Sequence, residues 1–158
     1  MVKLVFEIVG GKKKREVLEE LSYYGITRFP YVIVRWGKRL RMFSGDIDSR
    51  TIKTFVERLN VDSIGMCFAT SDDGLRINVD MAHLVANQLT DGIVEITDDQ
   101  AKQWLRGENL VFDENQQNSI KDFSKKYLIL KNQGDIVGIG KRSCYGVTNF
   151  LPKERRVH

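Results

Sequence analysis

The spacing of apolar residues changes repeatedly along the first ninety residues, between the alternation typical of strands and the wider period of helices. Residues 3–9 are dense in β-forming side chains and stop at Gly10-Gly11, which predicts a strand and a turn. The apolar positions that follow have helical spacing: Val17, Leu18, Leu21 and Tyr24. Gly25 is a suitable residue to end that helix. The chain is therefore predicted to begin with a strand, a turn and a helix.

Two hairpins and two helices are predicted next. Residues 31–35 and 39–43 are β-rich runs on either side of Trp36-Gly37-Lys38, and their exposed faces would carry arginines. Residues 64–69 and 75–79 are a second strand pair, joined by Asp72-Asp73-Gly74. The helix between these hairpins is predicted to bury Ile52, Phe55, Val56 and Leu59. The helix after them, capped by Asp80, is predicted to bury Met81, Leu84, Val85 and Leu89.

A turn at Asp91-Gly92 separates these elements from a second set. The second set begins with a strand, residues 93–96, and a helix that Thr97 or Asp98 caps and Gly107 ends. Residues 113–126 are polar and predict a loop. Three β-rich runs follow, at residues 127–131, 136–141 and 145–151. We therefore predict an α+β fold, with a small α/β domain at residues 1–90 and a mostly β barrel at residues 91–158.

Two motifs in the second half resemble those of PUA domains. Leu105-Arg106-Gly107 matches the turn that closes the early helix of these domains. The sequence GDIVGIG, from Gly134 to Gly140, matches their hairpin of alternating glycines and apolar residues. The resemblance implies a mostly β pseudo-barrel that binds RNA on the surface formed by its early helix and late strands.

The first half is similar to the pre-PUA domain of the Nip-seven ribosome-biogenesis family. The similarity is carried by Ser63-Ile64-Gly65 with Cys67-Phe68, and by the strand at residues 75–79 with the helix that follows. Members of that family place a small α/β domain before a C-terminal PUA domain, so the resemblance covers nearly the whole chain. The last ten residues, NFLPKERRVH, look more like the tail of PUA domains attached to RNA cytosine methyltransferases.

The positive charge of the chain is concentrated near its end. The net charge of the 158 residues is +4, which is modest for a nucleic-acid-binding protein. From residue 138 to residue 158 there are five cations and one carboxylate, an excess equal to the whole net charge. Clustered cations neutralise phosphates, so residues 141–156 are the predicted RNA-contacting edge. The alternative is a charged tail that is merely solvated.

The candidate RNA-binding residues all lie on this edge: Lys141, Arg142, Tyr145, Asn149, Lys153, Arg155 and Arg156. The first two end a predicted strand and are expected to be held rigidly, whereas the last three follow Pro152 on a tail that is expected to be mobile. Tyr145 and Asn149 lie among the cations, where a ring can stack on a base and an amide can bond to its edge. Phe150 is expected to point inward.

Residues suited to catalysis are few. The chain has two histidines, His83 and His158, and two widely separated cysteines, Cys67 and Cys144, which favour neither a catalytic pair nor a zinc site. Gly10-Gly11 precedes three lysines at a helix start, where a phosphate can bind, but the phosphate-loop signature is absent. We expect no enzymatic activity, no cofactor and no metal; a small nucleotide-dependent enzyme is the remote alternative.

The sequence thus predicts a non-catalytic RNA-binding protein that acts in ribosome biogenesis and binds ribosomal RNA through its PUA domain. A protein partner would dock on the N-terminal domain. The alternative is an RNA-targeting subunit of a modifying enzyme, such as a cytosine methyltransferase. No apolar run approaches the roughly 20 residues that span a bilayer, so we expect no membrane association and a cytoplasmic location, nucleolar if the source is eukaryotic.

Overall fold

The computed structural model describes residues 6–59 and 61–158, and the predicted strand residues 3–5 lie outside this part. Its elements alternate irregularly between strands and helices. In chain order they are β1 (Phe6–Val9), α1 (Gly11–Ser22), β2 (Val32–Trp36), β3 (Arg39–Phe43), α2 (Ser49–Arg58), β4 (Met66–Ser71), β5 (Leu75–Ile77), α3 (Val79–Leu84), β6 (Ile93–Glu95), α4 (Asp98–Leu105), β7 (Leu110–Val111), α5 (Glu114–Ser119), β8 (Tyr127–Asn132), β9 (Asp135–Arg142), β10 (Gly146–Asn149) and a 3₁₀ turn (Lys153–Arg155).

The first sheet is an antiparallel meander in the order β1-β2-β3-β4-β5. Both predicted hairpins are present. Gly37 has a φ of +59° as the first of the two residues between β2 and β3, the place where a type II′ turn needs glycine. One face of the sheet packs against α1 and α3, whose Leu21 and Met81 are buried in the core as predicted, as is Tyr24 just after α1.

The second sheet has the order β6-β8-β9-β10-β7, with β6 parallel to β8 and the other pairs antiparallel. Thr97 caps the start of helix α4, and its side chain and that of Gln100 form a reciprocal capping box. The helix carries Trp104 into the centre of this half, where the indole is fully buried. This sheet and its helices have the mostly β character that the sequence predicts.

Strand β8 is buried on both of its faces. Tyr127 and Ile129 belong to the core that includes α1, α3 and the first sheet, whereas Leu128 and Leu130 belong to the core around Trp104. An unbroken apolar run is the pattern expected of a strand covered on both sides. The chain passes from one sheet to the other at the predicted turn, where Gly92 has a φ of +70°. The division into domains 1–90 and 91–158 stays a prediction, because the two sheets share a core.

The glycines of the PUA-like hairpin make room for Trp104. A Cβ atom at Gly138 would overlap the indole nitrogen, and one at Gly140 would overlap both the indole and Val147. The Trp104 ring can therefore lie directly on the backbone of β9. This contact gives a physical reason for the alternation of glycine and apolar residues in GDIVGIG.

Several local predictions are wrong. The polar residues 113–126 contain a helix, α5, which Asp113 caps in a reciprocal pair with Gln116. Asn78 caps α3, where Asp80 was expected to do so. On α2 only Ile52 is buried, while Phe55 is 43% and Leu59 58% exposed. These errors have one origin, since polar caps and partly covered helices leave weak signals in the apolar pattern.

In the described part of the chain, no helix combines the length and apolar character needed to cross a lipid bilayer.

Replacing Gly138 by alanine is predicted to destabilise the fold by about 3 kcal/mol, because the added methyl group collides with a fully buried ring that has little room to move. The free energy of unfolding is measured by urea titration. Gly10→Ala is the control, since a Cβ there meets open space and the φ of −133° suits any residue; its cost is less than about 1 kcal/mol, for a weaker helix cap. Equal unfolding midpoints for the two variants would contradict the packing argument.

Candidate nucleic-acid interface

Lys141 lies near the end of β9 and is bound to the β4–β5 hairpin. Its ammonium group lies 2.6 Å from one carboxylate oxygen of Asp73, and the ammonium group of Lys126 lies 2.5 Å from the other. Asp73 belongs to the first sheet's hairpin turn, whereas both lysines belong to the second half of the chain. Two cations thus share one carboxylate at the junction of the sheets, and one positive charge is left uncompensated there.

The shared carboxylate is strongly acidic. Hydrogen bonds from Lys126 and then from Lys141 lower the pKa of Asp73 to about 2. The same interaction raises the pKa of Lys141. All three side chains are substantially exposed, so solvent and salt screen the attraction. The arrangement therefore holds two lysines in a defined place while leaving them accessible to a second anion.

Arg142 has a different setting from the one predicted. Its guanidinium group donates to the carbonyl of Phe123 at 2.6 Å and to that of Ile120 at the end of α5. These bonds tie the end of β9 to the turn that follows α5. Arg142 is thus rigid, as expected, but its donors are engaged by the protein itself. Its predicted contact with RNA would have to replace these bonds.

Asn149 is likewise occupied. Its amide nitrogen donates to the carbonyls of Trp104 and Glu108 at 2.8 and 3.0 Å, and its oxygen accepts from the backbone of Leu151. The side chain ties β10 to the end of α4. The expectation that this amide reads a base edge conflicts with this geometry, because both of its polar atoms are already bonded.

The three cations beyond Pro152 are not on a free tail. One guanidinium nitrogen of Arg155 donates to both carboxylate oxygens of Asp80, at 3.0 and 3.2 Å. Arg156 lies over Gly107 and donates to the carbonyl of Leu151, and the next backbone amide bonds to Leu105. The predicted mobile tail is therefore wrong: this segment is a strap across both halves of the molecule.

Lys153 is the exception within the strap, since it is exposed and makes no ion pair with any of the residues described. Tyr145 is also free to meet a ligand: it lies in the turn between β9 and β10 and is 76% exposed. Phe150 is 42% exposed, so the inward orientation expected for it is wrong. Phe150 comes three residues after the buried Val147, and side chains three residues apart on an extended chain point to opposite faces.

Phe150 and Arg76 form a contact that the sequence reading overlooked. The Arg76 guanidinium lies 4.7 Å from the centre of the Phe150 ring and 5.9 Å from that of Tyr127. Its Nε atom donates to Thr70, and it makes no ion pair in the described ranges. The signal available in the sequence was weak, because Arg76 is a single cation on a short strand, seventy-four residues before its aromatic partner.

These residues line a cleft of about 220 Å³ between the first sheet and the strap. Its floor is apolar, with Ile77 and Ile139, and its rim carries Arg76, Phe150 and the paired Arg155. Tyr127, which touches the Arg76 side, is paired in register with Lys141. Lys126 and Lys141 share Asp73, Arg76 lies beside the Tyr127 ring, and Arg155 lines the cleft with Arg76. With Lys153, two residues before Arg155 in the strap, we call these cations the cationic row: Lys126, Lys141, Arg76, Arg155 and Lys153.

The row combines two kinds of interaction that nucleic acids need. Its ammonium and guanidinium groups attract phosphates, and the exposed Phe150 and Tyr145 rings are surfaces for base stacking.

His83 is exposed on α3. Within residues 6–59 and 61–158, no three His, Cys, Asp or Glu side chains are grouped as potential metal ligands.

Comparison with known proteins gives this half of the chain a family. Residues 92–157 match the model of the methyltransferase RsmF PUA domain. The second sheet and its helices are a PUA domain. This confirms the resemblance drawn from the Leu-x-Gly turn and the glycine hairpin, and PUA domains are generally RNA-binding. The strap and four of the five cations of the row lie inside the matched residues, whereas Arg76 belongs to the first sheet.

The whole chain is also similar to a solved structure, described as a conserved PUA domain protein from Thermoplasma acidophilum. The TM-score is 0.57 at 13% sequence identity, and the alignment covers 95% of this chain and 96% of that one. Identity this low shows a shared fold alone. A search of curated proteins gives no match. The Nip-seven-like assignment stays a prediction.

The lowered pKa of Asp73 predicts a specific pH dependence. A carboxylate with a depressed pKa in the folded state contributes stability that is fully present above its ordinary pKa of 3.8 and is lost as the pH falls through about 2. The difference in unfolding free energy between the natural protein and Asp73→Asn should therefore be constant near neutrality and shrink between pH 4 and 2. Urea titrations across this range measure it. Asp46→Asn, the same charge change at an exposed site, is the control. The prediction is contradicted if the difference in unfolding free energy between the natural protein and Asp73→Asn does not depend on pH.

Proposed function

We propose that this chain is a non-catalytic RNA-binding protein whose PUA domain contacts RNA along the cationic row. The observation that carries the proposal is the position of the row. It follows the strap of the PUA domain and leads into a cleft that holds a cation stacked on an exposed ring, Arg76 on Phe150. Arginine stacked on an aromatic side chain provides both a charge for a phosphate and a planar surface for a base.

The pairing of cations within the row supports binding of a flexible, charged ligand. Lys126, Lys141 and Arg155 are each held by a carboxylate, Asp73 or Asp80, so their positions are set before RNA arrives. Lys153 and Arg76 have no such partner among the residues described and are the strongest candidates for direct phosphate contacts. Preformed positions reduce the entropy that must be lost on binding.

Two biological roles fit this activity. The first is an RNA-targeting subunit of an RNA-modifying enzyme, which the match of residues 92–157 to a PUA domain of a methyltransferase favours. The second is a ribosome-biogenesis factor that binds ribosomal RNA, which the pre-PUA-like first half favours through Ser63-Ile64-Gly65 and its neighbours. In either role the first sheet and α2 would contact a protein partner, since Phe55 and Leu59 leave apolar surface exposed.

Removing the two unpaired cations is predicted to weaken RNA binding and its salt dependence together. In the double variant Arg76→Gln, Lys153→Gln, the slope of the logarithm of affinity against the logarithm of salt concentration should fall by about 1–2, because each lost phosphate contact lowers it by roughly one. Fluorescence anisotropy with a labelled single-stranded RNA of about 12 nucleotides measures it.

Arg28→Gln is the control for loss of a single positive charge outside the row, since Arg28 is exposed on the loop before β2. Its slope should equal that of the natural protein. Failure of the natural protein to bind RNA even at low salt would refute the function. If the double variant binds RNA with an unchanged salt slope, the RNA-binding site lies away from the row.

The two roles predict different companions in the cell. A targeting subunit should be recovered with an RNA-modifying enzyme and little ribosomal material after affinity purification of the full chain. A ribosome-biogenesis factor should be recovered with pre-ribosomal particles. The double variant separates bound RNA from bound protein, because a partner held through α2 remains attached when the row is neutralised.

A further inference from the structure

A second group of cations and an aromatic ring lies on the first sheet, outside the PUA domain. Trp36 and Arg39 are directly opposite each other across the β2–β3 hairpin, as are Val34 and Arg41 one step further along. All four therefore project from the same face of the sheet. This face is opposite to the one that carries Ile33 and Leu40 into the core.

Helix α2 covers only part of this face. Val34 is fully buried although it points away from the core. Ile52 of α2, a helix that packs beside β1, is also fully buried. The hairpin tip beyond Val34 is left open. There a cleft of about 430 Å³ is lined by Trp36, Lys38, Arg39, Arg41, Asp62 and Ser63.

The residues that line this cleft differ in whether their side chains are already bonded within the protein. Arg41 donates to the carbonyls of Ile64 and Gly65, so it fixes the wall of the cleft and is not free for a ligand. Arg39 is exposed and forms no ion pair with the part of the chain that is described. Trp36 is half-buried and packs edge-on against Phe6, with its ring centre 5.4 Å away. The indole is thus held at a fixed angle beside an available guanidinium group.

The cleft is continuous with the cationic row. At the hairpin tip the backbone of Lys38 accepts a bond from Ser71, and its ammonium group lies 3.5 Å from Asp72. The neighbouring Asp73 holds Lys126 and Lys141. Lys38 and Asp72 therefore link the rim of the Trp36 cleft to the turn whose Asp73 holds two lysines of the PUA domain.

From this placement we infer that the Trp36 cleft is a second RNA-contacting surface, which takes a single-stranded segment by stacking a base on the indole while Arg39 meets its phosphate. The inference rests on the proposed RNA binding and extends it beyond the PUA domain. A single strand is the form that fits, because its bases are free to leave the helical stack, whereas those of a duplex are enclosed. Asp62 is the one carboxylate among the lining residues, and of the cations there Lys38 is paired with Asp72 whereas Arg39 is not paired within the described residues.

Tryptophan fluorescence tests the inference directly, because the chain has two tryptophans and the other, Trp104, is fully buried. Titration with unlabelled oligouridine of about 12 nucleotides should quench the emission of Trp36 as a base stacks on it. Trp36→Phe should abolish the quenching, and acrylamide accessibility of Trp36 should fall when RNA is bound. If the emission of Trp36 does not change at saturating oligouridine, the inference is overturned. The same result is expected if the cleft binds a protein partner and not RNA.

Affinity measurements provide an independent readout. Trp36→Ala should weaken oligouridine binding by about five- to 150-fold, the range expected for loss of one stacked base. Because this variant also loses the Phe6 contact, Arg39→Gln serves as a second one that leaves the packing intact; it should lower the salt slope by about one, and Arg39→Lys should restore it. Arg28→Gln remains the control.

The outcomes separate this inference from the proposed function. If oligouridine binds and depends on Arg76 and Lys153 but not on Trp36 or Arg39, the PUA domain binds RNA alone and the second surface is refuted. If RNA does not bind at all, the proposed function fails first. Quenching of Trp36 together with a lower salt slope for Arg39→Gln supports both.

Discussion

Burial of β8 on both faces sets the relation between the two sheets. Because Tyr127 and Ile129 pack into one core while Leu128 and Leu130 pack into the other, the strand cannot shift by one residue without exchanging its two sets of side chains. The hydroxyl of Tyr24, just after α1, also donates to the carbonyl of Tyr127 at 2.9 Å and fixes the strand to the first half. The position of every residue across the junction follows from this register.

The cationic row is a consequence of that register. Lys126 immediately precedes β8, and Lys141 is the partner of Tyr127 on β9. Both therefore lie at the end of the sheet that faces the β4–β5 turn, where Asp73 meets them. Arg76, on the same hairpin, reaches the Tyr127 and Phe150 rings. A surface assembled from three distant segments is thus held in place by the packing of a single strand.

The sequence was sufficient to predict the elements with strong periodic or turn signals. The hairpins at Gly37, Gly74 and Gly134, the capped helix α4 and the PUA resemblance were all recoverable because each depends on residues close in the chain. The site was less predictable. Clustered charge selected Lys141, Lys153 and Arg142 alike, although the Arg142 guanidinium is bonded to backbone carbonyls, and Asn149, chosen as a base-edge partner, is bonded to backbone groups as well.

Whether a cation is free for a ligand or is bonded within the protein depends on contacts made far away in sequence. Arg142 reaches carbonyls about twenty residues earlier, and Arg155 reaches Asp80, seventy-five residues earlier. No local pattern records such partners. Conversely, Arg76 stands alone in the sequence and acquires its aromatic neighbours, Tyr127 and Phe150, only in the fold.

The shared carboxylate of Asp73 has a further consequence for binding. A lysine pair that was fully neutralised would have to break its ion pairs before it met a phosphate, and a pair with no carboxylate would repel itself. Two lysines on one carboxylate avoid both difficulties: their positions are fixed, and one charge remains to attract an anion. Because the side chains are exposed, exchange of Asp73 for a phosphate costs little desolvation. Asp73 therefore positions the two lysines at one end of the row and leaves a positive charge there for an anion.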